Sequence, residues 1–354
     1  MAKKILIVTK NQFGYQTDYY KYIYYLKNDY DITYYSFDND EKKVHEKGIN
    51  LIYTKSKGSY LKRAYLFFLN LIKLIQNGHF DLIMIKNFDY CFILKIFFTK
   101  KKFILDLRSS AIGSKKLKRS YHNFLIRLNL LFFSNITVIS EGLAKKLHLN
   151  NYRIVPLGAD VISETNKDFQ SFSLIYIGTF SNRHIEKTIQ GVKTFLDNNP
   201  EIKPFEYHIF GKGKPNEEKL INEYINKFKL TDNVLFHGFK RHEEIKEYFD
   251  TCNLGVSYVP IKDYFNHQPP TKTFEYLLSG MACIATETFE NKKIITTENG
   301  VLCSDNSESF AKALEKIYKN RYQYNSNIIR STVANHKWEK IIHNTLLEFI
   351  NKLI

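Results

Sequence analysis

Residues 269–286, PPTKTFEYLLSGMACIAT, place a short helix directly before a buried strand. Apolar residues recur at helical spacing after the Pro-Pro pair, and Gly280 ends that pattern. The β-branched apolar run that follows is typical of a strand covered on both faces of a sheet. Lys272 is unexpected here, because the first turn of a helix favours acids such as Glu275 over bases.

The same alternation of strand-like and helix-like segments extends along the rest of the chain. Apolar runs such as KKILIVT (3–9), DLIMIK (81–86) and LIYIGTF (174–180) are typical of buried strands, and helical spacing separates them. Such strands, alternating with helices, indicate parallel sheets with helices on both faces. The polar stretch near 157–172 interrupts the pattern, which then restarts. We therefore predict an α/β protein with two doubly wound domains.

The predicted domains comprise residues 1–160 and 161–335, followed by a last helix over 336–354 that contains the only tryptophan, Trp338. A chain of 354 residues can bury two such cores. Its four cysteines are widely spaced in apolar runs, which predicts buried thiols rather than disulfides or a metal site. No apolar run approaches the roughly 20 residues that span a bilayer, and no signal-peptide pattern begins the chain. We therefore expect a cytoplasmic location.

Positive charge is concentrated in the first half of the chain. Residues 1–160 contain 27 Lys and Arg against 12 Asp and Glu, whereas residues 161–354 contain 25 against 24. This asymmetry indicates that the first half meets an anionic partner, which is a membrane surface, a phosphorylated acceptor or nucleic acid.

Glycines and cations follow three predicted strands of the second domain. Gly178 and Arg183 follow one strand, and Gly211 with Lys212 follow the next. Lys272 lies at the start of the helix quoted above. Glycine turns with free N–H groups and cations at one sheet edge indicate a site for a phosphorylated ligand. The chain contains no G-x-G-x-x-G and no Walker sequence, which argues against a dinucleotide fingerprint or an ATPase.

This half of the chain resembles the donor-binding domain of family 4 retaining glycosyltransferases, which have the GT-B fold and build bacterial surface polysaccharides. The quoted stretch resembles the family's P-x-K-x-x-E-Y-x-x-x-G-x-x-x-I motif and is the most specific element. The similarity runs through LIYIGTFSNRHIEKTI, FEYHIFGKGK, NVLFHGFKRHEEIKEYFDTCNLGVSYVP, PPTKTFEYLLSGMACIAT and NGVLCSDNSESFAKALEKIY. The first half matches more loosely, through KKILIVT, FGYQ and NITVISEGLAKKL. The resemblance implies two Rossmann-like domains facing across a cleft, with the last helix crossing back to the first.

The resemblance also implies transfer of a sugar from a nucleotide-diphosphate donor, a UDP-sugar in preference to a GDP-sugar, with retention at the anomeric carbon. No metal or other cofactor is expected. Arg183 and Lys272 would be catalytic, since with the Thr271 backbone they would neutralise the diphosphate leaving group. Glu275 would bind the donor ribose. The other residues assigned to the donor site are Gly14, Gly178, Thr179, Gly211, Lys212 and His267.

Two positions depart from the family pattern. Many members have two glutamates in an E-x7-E arrangement, and His267 stands where the first would be. That acid usually faces the transferred sugar, so the sugar is not predicted. Thr179 stands where the family often has a basic residue, which would leave Arg183 to act alone at that strand end.

Asp106 and Arg108 follow a strand of the first domain and are the candidate acceptor-side residues. Asp106 could position or deprotonate the acceptor hydroxyl as a catalytic group. Alternatively, it is a structural carboxylate paired with Arg108. The D-x-D patterns at 29–31 and 38–40 imitate a metal-binding motif, but turn aspartates are ordinary beside a strand, so no metal site is predicted.

The segment 114–133 combines basic residues with leucines and aromatic residues at helical spacing, and 59–75 has a similar mixture. Helices of this kind lie on anionic bilayers, which predicts a peripheral site on the inner face of the cell membrane and a lipid-linked acceptor. The alternative is an apolar stripe that packs in the core. His122 is interpreted as a surface or groove residue. The residues assigned to the acceptor and membrane are Arg108, Lys115, Lys116, Lys118 and Arg119.

The preferred function is therefore a membrane-associated, metal-independent glycosyltransferase that extends a surface glycan on a lipid carrier. Alternatives are a glycosyltransferase with a soluble or protein acceptor and an epimerase that cleaves a nucleotide sugar. A protein that binds nucleic acid through its basic half belongs to a different class. It is disfavoured because the chain contains no known nucleic-acid-binding motif.

Overall fold

The computed structural model describes residues 2–55, 57–111 and 116–354. The chain forms two compact units. Unit 1 comprises Met1–Leu157 with Trp338–Ile354, and unit 2 comprises Gly158–Lys337.

Unit 1 is built around a parallel sheet in the order β3-β2-β1-β4-β5-β6-β7, counted over the described residues. Four of the five residues in its central strand KILIV are buried, as expected for a strand covered on both faces. The strands are β1 (Lys4–Val8), β2 (Asp31–Asp38), β3 (Ile49–Lys55), β4 (Leu82–Lys86), β5 (Phe103–Leu107), β6 (Ile136–Val138) and β7 (Arg153–Ile154). The helices are α1 (Thr17–Leu26), α2 (Tyr60–Asn77), α3 (Phe92–Phe97), α4 (Lys116–Leu130) and α5 (Glu141–Leu147).

Unit 2 repeats this construction with a parallel sheet in the order β10-β9-β8-β11-β12-β13, again counted over the described residues. Its strands are β8 (Phe172–Thr179), β9 (Phe205–Lys212), β10 (Val234–Gly238), β11 (Leu254–Ser257), β12 (Ala282–Thr286) and β13 (Gly300–Cys303). Its helices are α6 (Glu186–Asn198), α7 (Pro215–Lys227), α8 (His242–Thr251), α9 (Asp263–Asn266), α10 (Thr271–Leu278), α11 (Asn291–Ile294), α12 (Ser307–Lys319) and α13 (Ser326–Thr332). Short 3₁₀ turns cover Arg321–Gln323 and Ala334–His336.

The last helical segment belongs to unit 1. It consists of α14 (Trp338–Ile341), a π-helical turn (Ile342–Leu347) and α15 (Glu348–Leu353). The Trp338 side chain is buried, with its ring 6.2 Å from that of Tyr22. Burial of this large aromatic residue joins the end of the chain to the core of unit 1.

The predicted class, a doubly wound α/β protein with two parallel sheets, is confirmed. Two strands were not predicted. The edge strand β3 is only partly buried, so its sequence INLIYTK lacks the continuous apolar run of a central strand. The strand β13 has only four residues. Within the described residues, no helix is both long and apolar enough to cross a membrane.

Candidate functional site

Unit 2 contains a cavity of about 390 Å³ where the carboxyl end of β8 meets the start of α10. The order of the parallel strands reverses between β8 and β11, and ligands of open α/β sheets bind at such a point. The predicted donor-site residues in its wall are Gly178, Thr179, Arg183, Thr271, Lys272 and Glu275.

Contacts with the sheet fix the position of α10. The Tyr276 hydroxyl accepts a hydrogen bond from the Ile177 N–H at 2.9 Å. A Cβ on Gly255 would lie 2.2 Å from the Tyr276 ring, so β11 needs glycine there. The Ser257 and Thr273 hydroxyls are 2.7 Å apart. The buried face of α10 is therefore held in one register, which directs its first turn into the cavity.

The charged form of Lys272 is destabilised by the surroundings of its side chain. Its ammonium lies 3.8 Å from the centroid of the Tyr176 ring, and it forms no ion pair with a carboxylate of the described residues. Burial, and then the neighbouring Arg183 guanidinium, hold the pKa of Lys272 well below its usual range. An anion in the cavity would stabilise the charged form.

Arg183 supplies the second cation from the loop between β8 and α6. Its guanidinium lies 3.9 Å from the centroid of the Phe265 ring. The buried Nη1 has no hydrogen-bond partner within the described part of the chain, and burial lowers the pKa of Arg183. Asn182 and His184 on either side have left-handed φ angles of 57° and 55°, a strained conformation that recurs at functional sites.

The β9–α7 turn, which was predicted to contact phosphate, lies outside the wall of this cavity. The Gly213 N–H donates to Glu218 at 2.9 Å, and the Lys214 N–H donates to Glu217 at 2.7 Å. The Lys212 ammonium lies 5.2 Å from the centroid of the Phe239 ring. Neither Gly211 nor Lys212 lines the cavity, and acids of α7 already accept from the Gly213 and Lys214 N–H groups, so the assignment of Gly211 and Lys212 to the donor site stays a prediction.

Gly211 instead shapes the neighbouring β8 loop. A Cβ on Gly211 would lie 1.7 Å from the Gly178 carbonyl oxygen, and both glycines have positive φ. Glu217 ties the same loop by accepting a hydrogen bond from the Ser181 hydroxyl at 2.9 Å. Despite its partial burial, hydrogen bonds from Lys214 and Ser181 lower the pKa of Glu217. These contacts support the loop that carries Arg183.

His267 lies outside the wall of the cavity, so its assignment to the donor site stays a prediction. Its ring is 4.9 Å from that of Phe289, and the preceding Asn266 side chain accepts the Phe289 N–H at 2.7 Å. Phe265 and Gln268 form the wall here instead. Sequence reasoning missed both because their orientation depends on the packing of α9 rather than on a local pattern.

Gly14 belongs to unit 1, where its φ is +90°. A Cβ at this position would lie 2.5 Å from Cγ2 of Val44. Packing within unit 1 therefore already requires glycine, and a contact between Gly14 and the donor stays a prediction.

The acceptor-side pair predicted in unit 1 has a different arrangement. Asp106 is wholly buried, and its carboxylate accepts hydrogen bonds from Tyr19 and Thr137 at 2.7 Å each. Burial raises the pKa of Asp106. Arg108 pairs with Asp18 at 2.7 Å rather than with Asp106. Both oxygens are thus occupied and buried, which favours the alternative of a structural carboxylate, although its partners are Tyr19 and Thr137 rather than Arg108; a catalytic role for Asp106 stays a prediction.

The basic helix α4 presents both charge and apolar surface to solvent. Lys116 and Lys118 are exposed, and Arg119 is half-buried. Leu117 is 88% exposed and Phe124 59% exposed, so these residues do not belong to a core-packing stripe. Lys115 lies outside the described residues. In the described part of the chain, no group of three His, Cys, Asp or Glu side chains is arranged to hold a metal ion.

Two parallel-stranded Rossmann-like units define the fold of the GT-B glycosyltransferases, as comparisons with solved structures show. A sucrose-phosphate synthase from Thermosynechococcus elongatus has a TM-score of 0.76 at 14% identity, with 99% of each chain covered. Anabaena Alr3699/HepE in complex with UDP and glucose has a TM-score of 0.77 at 13% identity, covering 99% of this chain and 100% of that chain. The lipopolysaccharide outer core galactosyltransferase WaaB has a TM-score of 0.72 at 14% identity, with the same coverage.

For unit 2, comparison of the sequence with family models also finds a similarity to glycosyltransferases. Residues 171–320 match the family model described as Glycosyl transferases group 1. This segment contains β8, α10 and the complete wall of the cavity. A search of curated proteins finds no match to the chain.

Proposed function

We propose that the protein is a retaining glycosyltransferase that moves a sugar from a nucleotide-diphosphate sugar to a lipid-linked glycan acceptor. The pair of cations at one strand end carries this proposal. Arg183 and Lys272 face the same cavity in unit 2 and have no carboxylate partner among the described residues. Two cations in this setting match the charge of a diphosphate.

The chemistry requires stabilisation of the leaving group. When the bond between the anomeric carbon and the phosphate oxygen breaks, the electron pair remains on the diphosphate. Arg183 and Lys272 would neutralise that developing charge, which favours the transition state over the bound donor. Because α10 begins after Pro270 with no side-chain cap in the described residues, its first N–H groups would add a favourable dipole.

Glu275 would bind the donor ribose, since an ionised carboxylate accepts hydrogen bonds from two adjacent hydroxyls. It lines the same cavity as Lys272, one helical turn further along α10. The complex of Anabaena Alr3699/HepE with UDP-glucose, which has the same fold, supports UDP as the favoured nucleotide. No metal is assigned a role in this proposal.

A lipid-linked acceptor is supported by the surface of unit 1. Six exposed apolar or aromatic residues form what we term the α2–α4 surface: Tyr60, Leu61, Tyr65, Leu117, Tyr121 and Phe124. Tyr90 connects its two helices, because its hydroxyl is hydrogen-bonded to that of Tyr121 and it shares a cavity wall with Tyr60. Exposed apolar residues beside lysines fit an anionic bilayer, where the enzyme would extend a surface polysaccharide or glycoconjugate.

The donor assignment can be tested by calorimetric titration of the full-length protein with UDP and GDP, followed by hydrolysis assays with UDP-sugars. We expect Glu275→Ala to weaken UDP binding by roughly tenfold or more, because hydrogen bonds to a charged group contribute about 1.5–3 kcal/mol. Glu298→Ala, at an exposed position of unit 2, is the matched control. Unchanged affinity in the Glu275→Ala protein would show that the donor site has been wrongly assigned.

A further inference from the structure

A second cavity, in unit 1, has the position and charge of a binding site. It has a volume of about 320 Å³ and lies where the strand order reverses between β1 and β4. Lys10 follows β1, and Lys86 ends the neighbouring β4, so both lysines reach this cavity from the carboxyl edge of the sheet. Ligands of open parallel sheets bind at that edge.

The wall of this cavity holds two lysines that form no ion pair within the described part of the chain, together with the carboxyl groups of Asp89 and Asp106. Neither Lys10 nor Lys86 forms an ion pair with a carboxylate of the described residues. Burial lowers the pKa of both lysines, although Asp89 beside Lys10 and Asp18 near Lys86 oppose the shift. An anionic group bound here would offset the cost of burying the two ammonium groups.

Arg108 gives an independent indication that this cavity suits an anion. Its Nε donates to Asp18 at 2.7 Å, and its Nη1 donates to the Val155 carbonyl at 2.6 Å. Its Nη2 is buried without a partner in the described part of the chain. Asp89, which also lines this cavity, has its Oδ1 3.1 Å from Nδ1 of His122, so that carboxylate is already engaged.

An apolar cavity of about 410 Å³ adjoins the first one, because Lys10 and Asp89 contribute to both walls. The rest of its lining is mainly aromatic, including Phe37, Phe68 and Tyr90. Tyr60 and Leu61, which also line it, are 59% and 78% exposed and belong to the α2–α4 surface. The cavity therefore leads from the cationic groups to the apolar surface of unit 1.

We propose that the two cavities form one site for an amphiphile, with its phosphate-bearing head between Lys10, Lys86 and Arg108 and its hydrocarbon chain beside Phe68 and Tyr60. This inference rests on the proposed function, because it specifies the anionic part of the lipid-linked acceptor and the residues that hold it. A phosphate head offsets the two unpaired ammonium groups, and the aromatic cavity removes the adjoining methylene groups from water. A free phosphate would use only the first cavity.

The test uses dodecyl phosphate below its micellar concentration as the probe, titrated into the full-length protein by calorimetry. Inorganic phosphate and dodecyl maltoside serve as the head-only and neutral-head probes. We expect dodecyl phosphate to bind at least tenfold more tightly than either of these. Lys10→Met or Lys86→Met should each weaken its binding by about 10- to 100-fold, the loss expected for one charge-assisted contact. Ala64→Phe, which fills the apolar cavity, should weaken dodecyl phosphate but not inorganic phosphate.

Lys73→Met, at an exposed position of α2, is the matched control and should bind as the unmodified protein does. Lys86→Arg should restore most of the affinity, which a merely misfolded variant could not do. Equal binding of inorganic phosphate and dodecyl phosphate would assign the site to free phosphate and overturn the proposal, as would equal binding of dodecyl maltoside. UDP titrations of the same variants report on unit 2 separately. Failure of the unmodified protein to bind UDP would count against the proposed function, whereas failure of the unmodified protein to bind dodecyl phosphate while it still binds UDP would count against this site alone.

Discussion

Lys272 lowers the stability of the protein without a ligand, and binding of an anionic ligand would account for its presence. A base in the first turn opposes the helix dipole, and burial beside Arg183 makes its charge more costly still. Under the proposed function, both penalties would decrease when a diphosphate binds. The residue would then exchange stability of the free protein for affinity toward an anion, a balance found at many functional sites.

A pH dependence of donor binding follows from this balance. The diphosphate binds the protonated form of Lys272, whose pKa is lowered in the free protein by burial and then by Arg183. Above that lowered pKa, binding must first restore the proton, so the Kd for UDP should rise by about tenfold per pH unit until the pKa of the complex is reached. Calorimetric titrations at several pH values above neutrality measure this slope.

The Lys272→Arg protein is the control for that experiment, since guanidinium stays charged and its Kd should change little with pH. Lys272→Met should bind UDP weakly at every pH. A constant Kd in the unmodified protein over the same pH interval would mean that Lys272 does not contact the diphosphate.

Lys272 and Arg183 could be predicted as site residues because the sequence next to each of them is sufficient to place it. Lys272 and Glu275 share one turn of α10, and Arg183 follows a strand whose apolar run is unmistakable. His267 could not be placed in this way. Its side-chain direction depends on α9 and on the Phe289 ring, which lies 22 residues further along the chain. The motif therefore predicted which segment of the chain forms the site. It did not predict which side chains of that segment point into the cavity.

At the scale of elements, the β8 and β9 loops depend on each other through two glycines. We expect Gly211→Ala to destabilise unit 2 by about 2–4 kcal/mol, because the added Cβ would lie 1.7 Å from the Gly178 carbonyl and φ is +148°. UDP affinity should also fall, since the displaced loop carries Arg183. Chemical denaturation and UDP calorimetry measure the two effects.

Gly238→Ala provides the comparison, because this glycine also has positive φ but no atom lies within 4 Å of the added Cβ. Its cost should be about 1 kcal/mol, from the backbone conformation alone. Equal destabilisation by the two substitutions would show that the Gly211–Gly178 contact is not tight.

The anchoring of α10 gives a second prediction at this scale. Tyr276→Phe removes the acceptor of the Ile177 N–H and should destabilise unit 2 by about 1–3 kcal/mol, the cost of leaving a buried donor unpaired. UDP affinity should change less than stability does, because Tyr276 faces the sheet rather than the cavity. Thermal unfolding with and without UDP separates these effects. A stability equal to that of the unmodified protein would argue against this hydrogen bond.

Strands could be predicted from the sequence where helices cover both faces of the sheet. The central strands are covered on both faces, so their sequences read as uninterrupted apolar runs. The edge strand β3 has no neighbour on one side and is only partly buried, so its pattern carried no comparable signal. The phosphate contact predicted for the β9–α7 turn rests on glycine spacing, which does not reveal that the Gly213 and Lys214 N–H groups bind acids of the following helix.

At the scale of the whole molecule, the uneven charge leads to a prediction about membranes. The full-length protein should sediment with anionic vesicles and should be released by salt, since screening weakens the attraction of exposed charges. Three exposed or half-exposed cations of α4 are changed in the test variant: Lys116→Ser, Lys118→Ser and Arg119→Ser. Each contributes about 1 kcal/mol near an anionic surface, so binding should fall by roughly 100-fold.

The control variant carries the same number of changes on exposed lysines of unit 2, Lys219→Ser, Lys227→Ser and Lys312→Ser. It should bind vesicles as the unmodified protein does. If both variants lose binding equally, the attraction comes from total charge rather than from α4. If neither loses it, α4 is not the membrane contact. If the unmodified protein does not bind the vesicles at all, a soluble or protein acceptor becomes the better interpretation.

The last helical segment has a consequence for the order in which the protein forms during synthesis. Unit 2 lies between the two parts of unit 1 in the sequence, and Trp338 packs against Tyr22 only after unit 2 has been translated. The segment that completes the core of unit 1 is therefore the last part of the chain to be made, after every residue of unit 2. Unit 1 cannot reach its final packing until synthesis of the whole chain has ended.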